Sequence, residues 1–166
     1  MSQQYGEGDW FGVPLGHGQF APGLIARRPK RGGVLFGYFF GPVGKQEPRK
    51  ADVPDLRANQ ALMVCRFKDA PLHRGLWRVI GSSGKWRHKD WPMPAFLRKE
   101  GLSGRGIRIE YAADNLTTPV REVEADATDA ALPEDIVYDE ERLVLALVRL
   151  LAEKRPVSLD PGQWTR

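Results

Sequence analysis

The amino-acid sequence predicts a mainly β (α+β) fold: a bent antiparallel sheet or small barrel with one C-terminal helix packed on it. Three observations carry this. Short runs rich in Val, Ile, Phe, Tyr and Trp recur between Gly and Pro through the first 40 residues. Residues 107–112 alternate apolar and charged with a period of two. One stretch, 139–154, carries apolar side chains at the 3–4 spacing of a helix that buries one face. With 18 Gly and 13 Pro among 166 residues, the chain turns too often for a helical bundle. The length suits a single domain over 1–166, large enough to bury a core.

The elements follow in order. Gly8–Leu15 (GDWFGVPL), Gln19–Arg27 (QFAPGLIAR) and Gly33–Phe40 (GVLFGYFF) read as a meander, turning at Gly16-His17-Gly18 and at the basic turn Arg28-Pro-Lys-Arg-Gly-Gly. Pro14 and Pro22 cannot donate to a ladder, so they belong at edges, bulges or strand ends. Gly12, Gly23 and Gly37 are expected to let the sheet bend. Residues 42–55 form a polar loop. Leu56–Met63 offers one or two helical turns, feeding a strand at Ala61–Phe67. After the turn-rich Lys68–Gly75 comes a strand at Leu76–Ile80. Gly81–Gly84 then reads as a hairpin turn, and Lys85–Phe96, with its two prolines, as extended chain. Gly101–Gly106 is a turn before the strand Ile107–Ala112, which Val120–Val123 can pair across Asp114-Asn115. The helix spans Asp139–Lys154. Asp139 caps it, Glu140 and Glu141 suit its positive end, Lys154 and Arg155 its negative end, and Pro156 stops it, leaving 156–166 as a tail. Such a helix is unstable alone, so its stripe of Leu143, Val144, Leu147, Leu150 and Leu151 must dock on the sheet.

Several function classes are disfavoured. No Lys or Arg occurs in the first 26 residues, which argues against a secretory signal, and no apolar run approaches the roughly 20 residues of a membrane span. Cys65 is the single cysteine, so neither an internal disulfide nor a cysteine-built metal site is expected, and the chain reads as cytoplasmic. His17, His73 and His88 share no metal-ligand spacing. Gly81-Ser-Ser-Gly-Lys85 lacks the outer glycine and the hydroxyl residue of a phosphate loop. No nucleophile stands beside a base. Neither catalysis nor a cofactor is expected.

The net charge of +4 is a cancellation: −2 over residues 1–25, +12 over 26–110 and −6 over 111–166. A basic centre before an acidic last third implies either internal cross-pairing or two faces of opposite potential, and the two-faced surface suits protein recognition better than the uniform basic coat of a nucleic-acid binder. Trp86, Arg87, His88 and Trp91 interleave bases with tryptophans, a mixture used by protein hot spots and by single-strand binders; the alternative is that Trp91, Met93 and Phe96 point inward as core while the bases face water. They are candidate interface anchors, and Glu122, Glu124, Asp126 and Asp129 are a candidate acidic surface. The basic-aromatic centre, 66–99, also raises nucleic-acid binding as an alternative, which the acidic last third opposes.

The motifs GDWFGVPL (8–15), QFAPGLIAR (19–27), RGLWRVIG (74–81), WPMPAF (91–96) and LPED (132–135) occur in that order. Together they resemble the immunity protein 26 family of bacterial polymorphic toxin systems, over about residues 6–152. The resemblance implies a mostly β fold and a non-catalytic, stoichiometric inhibitor. Its partner would be a cognate toxin, encoded by the adjacent gene and bound in the cytoplasm. It assigns no role to individual residues.

Overall fold

A computed structural model describes residues 2–53 and 55–153. The chain runs β1 (Asp9–Gly16), β2 (Gln19–Arg27), β3 (Val34–Phe39), β4 (Met63–Lys68), the single turn α1 (Ala70–His73) and β5 (Arg78–Ser82). It continues through β6 (Phe96–Glu100), β7 (Arg105–Glu110), β8 (Arg121–Glu124), β9 (Val137–Tyr138) and α2 (Glu140–Ala152). Six strands form one sheet in the order β5-β1-β2-β3-β4-β9, antiparallel except for the β4–β9 pair. That sheet is open, so of the two expected forms the bent sheet is realised and the barrel is not. A second antiparallel sheet, β6-β7-β8, was not anticipated as a separate unit.

The apolar runs in β1–β4 are nearly continuous because both faces of the large sheet are covered, as buried strands require. Successive side chains point to opposite faces. Phe11, Ile25, Leu35, Phe39, Cys65 and Phe67 lie on one side, packed with Trp77 and with Leu143 and Leu147 of α2. On the other side Trp10, Leu24, Phe36, Tyr38, Phe40 and Val64 meet Trp91, Phe96 and Leu116. Phe11 and Trp77 stack with ring centroids 5.7 Å apart and planes 3° from parallel.

Two glycines make this packing possible. A Cβ on Gly23 would lie 2.4 Å from the Phe11 ring, and one on Gly37 would lie 2.7 Å from the Leu24 carbonyl oxygen and 2.8 Å from the Phe67 ring. Gly12 has only ordinary contacts, so the bending role expected of all three reduces to close approach at two. Pro14 sits where β5, which pairs only with Asp9–Gly12, no longer reaches, beside a register irregularity. Pro22 lies just past the end of β3. Asp139 caps α2, accepting from the Arg142 amide at 2.9 Å. The expected helix end at Lys154, its stop at Pro156 and the 156–166 tail lie outside the described residues.

Two local readings are corrected. Gly81–Gly84 does not turn a hairpin: β5 runs on to Ser82, the Ser83 amide bonds the Gly8 carbonyl at 2.8 Å, and among the described residues no strand returns along β5. Lys85–Phe96 is not uniformly extended, because a 3-10 turn occupies His88–Asp90. The strand Ile107–Ala112 is found as β7, shifted two residues earlier, and pairs with β8 as expected.

One buried ion pair joins the layers. Arg66 on β4, 4% exposed, donates to Asp135 at 2.6 Å and to the Leu116 carbonyl at 2.8 Å. Its guanidinium lies 4.1 Å from the centre of the Tyr111 ring, and the Tyr111 hydroxyl donates to the same Asp135 oxygen at 2.7 Å. Burial, and then the bond to Asp135, push the Tyr111 hydroxyl up to about 12.

Arg66→Met strands a buried carboxylate and is expected to cost about 3–5 kcal/mol in urea unfolding. The double variant Arg66→Met/Asp135→Leu should recover most of that loss, because neither charge is then left alone. Gly23→Ala should cost about 1–3 kcal/mol by the same measurement, because the added methyl drives the Phe11 ring off its place.

Candidate functional site

The basic-aromatic segment is held from below. Trp91 is 9% exposed and sets its ring edge-on against Trp10 at 5.8 Å, Tyr38 at 5.0 Å and Phe40 at 6.2 Å. The Tyr38 hydroxyl donates to the Pro92 carbonyl, fixing the chain just after it. Trp86 is half-buried, stacked on Trp91 with planes 16° apart. A Cβ on Gly8 would lie 3.2 Å from the Trp86 ring, and Gly8 adopts φ +85°, so this position favours glycine twice over. Trp91 is therefore a support beneath the surface, not an anchor on it. Lys85, Arg87, His88 and Lys89 form the exposed crest.

The crest is pinned at its sides. Arg87 grips Asp90 with two bonds, at 2.9 and 3.2 Å. His88 Nε2 lies 2.7 Å from the Glu7 carboxylate, which also accepts from the Arg28 amide at 3.0 Å. Burial pushes the Glu7 carboxyl up, but the bonds from His88 and Arg28 outweigh it and hold the group below its ordinary value. Arg28 in turn lies over the Tyr5 ring, 4.5 Å from its centre.

Depressions flank this crest. A cleft of about 840 Å³ runs between the β2–β3 turn, with Lys30 and Arg31, and the 113–117 loop, with Glu7 and His88 beside it. A second, of about 450 Å³, lies between residues 56–59 and Arg87, Asp90 and Trp91. A third, of about 350 Å³, is bordered by Lys50, Lys85 and Trp91. The structure thus adds Lys30, Arg31, Lys50 and Arg57 to the residues singled out by sequence. The signal for the first two was the Arg-Pro-Lys-Arg run, which reads as turn chemistry; the other two are isolated bases in loops and carried none.

The acidic group behaves differently. Glu122 and Glu124 are exposed on β8, but Glu122 lies 3.3 Å from Arg98 and Glu124 3.2 Å from Arg105. Asp129 is 5% exposed and binds Arg108 at 2.7 Å, so it braces the sheet from within. Asp126 caps the 3-10 turn Ala127–Ala131, accepting from Thr128; the Thr128 hydroxyl and amide hold its carboxyl below the usual range. The basic and acidic groups lie on different elements, and no contact between them is present among the described residues.

No cluster of three metal-ligating side chains occurs among the described residues. Cys65 is buried in the core, where burial pushes its thiol well up, so it is a structural thiol and a poor nucleophile. No helix among the described residues is long and apolar enough to cross a membrane.

The model of the family described as Immunity protein 26 matches residues 6–106, more than half of the chain. The match takes in the motifs from GDWFGVPL to WPMPAF; LPED at 132–135 lies beyond it. No curated protein and no solved structure matches the chain.

The Glu7–His88 contact gives a pH signature. The folded carboxyl titrates below an unfolded glutamate, near 4.3, so its contribution is complete above that pH and is lost as pH falls through the depressed value. Glu7→Gln should therefore be less stable than wild type at pH 7, with the gap narrowing below about pH 4 in urea melts taken across a pH series.

Proposed function

Because the chain belongs to the immunity protein 26 family, we propose that it binds a cognate bacterial toxin and neutralises it by stoichiometric occlusion, without catalysis. The family match is the observation that carries this reading. The toxin is encoded by the adjacent gene, and the complex forms in the cytoplasm, where the immunity protein protects its own cell during bacterial competition. A stable complex of this kind buries about 1,600 Å² in total, with aromatic or Arg anchors at its centre and charges at its rim that speed encounter.

Nucleic-acid binding through the centre, 66–99, is the second reading, favoured only by the exposed bases on the crest. It requires affinity that falls steeply with salt.

Co-expression with the product of the adjacent gene tests the proposal. The expected result is rescue of growth and a 1:1 complex on size-exclusion chromatography. A toxic neighbour that is neither rescued nor bound overturns it.

A further inference from the structure

We infer that the crest at residues 85–90 and its flanking depressions are the docking face, and that the partner presents an acidic patch to it. This rests on the toxin-binding reading above and specifies which face serves it.

The warrant is a contrast in charge pairing. On the small sheet and the turn behind it, Glu100, Glu110, Glu122, Glu124 and Asp129 each lie within 4 Å of an arginine of β6 or β7. Those five carboxylates share three arginines, Arg98, Arg105 and Arg108, so most of that surface's charge is already engaged within its own register, and Asp126 is spent on capping the turn. Around the crest the opposite holds. Lys30, Arg31, Lys50, Arg57, Lys85 and Lys89 are exposed, and none makes an ion pair with a described residue. Unpaired cations bordering concave, low-dielectric walls focus field lines and raise the rate of encounter with an anionic surface.

The site is also built. Trp91 fixes the backbone of the crest to the core, the Glu7 contact holds His88, and the Arg66 bond to the Leu116 carbonyl fixes the far wall of the 840 Å³ cleft. Side chains carried on a prearranged backbone lose less freedom on binding.

A protein partner fits better than a nucleic acid. Single-strand binders stack bases on open aromatic faces, but here Trp91 is buried and Trp86 is stacked against it. Carboxylates also interrupt the band: Asp90 occupies Arg87, and Asp114 lines the cleft of about 840 Å³. The cations are thus separate patches, which a shaped protein surface can match, and not the continuous track that a phosphate backbone follows.

The test measures the dissociation constant of the complex with the adjacent gene's product, for wild type, Lys30→Glu/Arg31→Glu/Lys85→Glu/Lys89→Glu and Glu122→Gln/Glu124→Gln, at several salt concentrations. Thermal melts confirm that each variant is folded; the substituted side chains are all exposed. The quadruple reversal should weaken binding on the order of 100-fold, mainly through slower association, and flatten its salt dependence, while the Gln pair stays near wild type. Wild-type affinity in the quadruple variant, or loss confined to the Gln pair, overturns the docking face and leaves the toxin-binding reading standing. Failure of folded wild type to bind overturns both. Salt-sensitive RNA or DNA binding that the quadruple variant abolishes, without a protein complex, overturns the acidic protein partner.

Discussion

The architecture depends on one buried guanidinium. Arg66 is on the second-last strand of the large sheet, yet its partners come from three later segments: Tyr111 just after β7, Leu116 in the loop that follows, and Asp135 just before β9. Its own backbone pairs with Val137 of β9. Burying this charge costs several kcal/mol unless every partner is in place. The small sheet, the 113–117 loop and the approach to α2 are all indexed to the same group. An apolar residue at 66 could pack as well, but it would not fix which loop meets which strand.

From that index the surface follows. The loop held by the Leu116 carbonyl is one wall of the cleft beside His88, and the β2–β3 turn is the other. The sheet face that carries Arg66 also carries Tyr38, whose hydroxyl secures Pro92 and so the crest. The same two-sided burial that makes the central strands apolar runs leaves loops and turns to carry the exposed charge.

Much of the fold was legible. β1–β3 announce themselves by β-branched and aromatic runs between Gly and Pro, β4 by a short apolar run, and α2 by its cap and its spacing of Leu143 and Leu147. β6 was not legible, because FLRKE carries three charges in five residues and takes its place only by pairing with β7. The Arg66–Asp135 pair joins positions 69 apart, which no local pattern discloses. The candidate site was legible in part. Composition located the bases of the crest and left Trp91 open between core and surface; burial settles it inward, and places Asp129 inward where no pattern had suggested it. Which charges are spent on neighbours is a matter of register: Arg98 serves Glu122 because Phe96 and Ile109 set β6, β7 and β8 side by side.

The small sheet ends at β8, a short strand reading Arg-Glu-Val-Glu. A free strand edge is a template on which other chains can add, and natural sheets guard against it with brevity and charge. Arg121, Glu122 and Glu124 put three charges in the four residues of that edge, which a strand from another chain would have to accommodate. The charge on β8 then has a bearing unconnected with recognition: it stands on a sheet margin of the kind that brevity and charge keep from pairing with other chains.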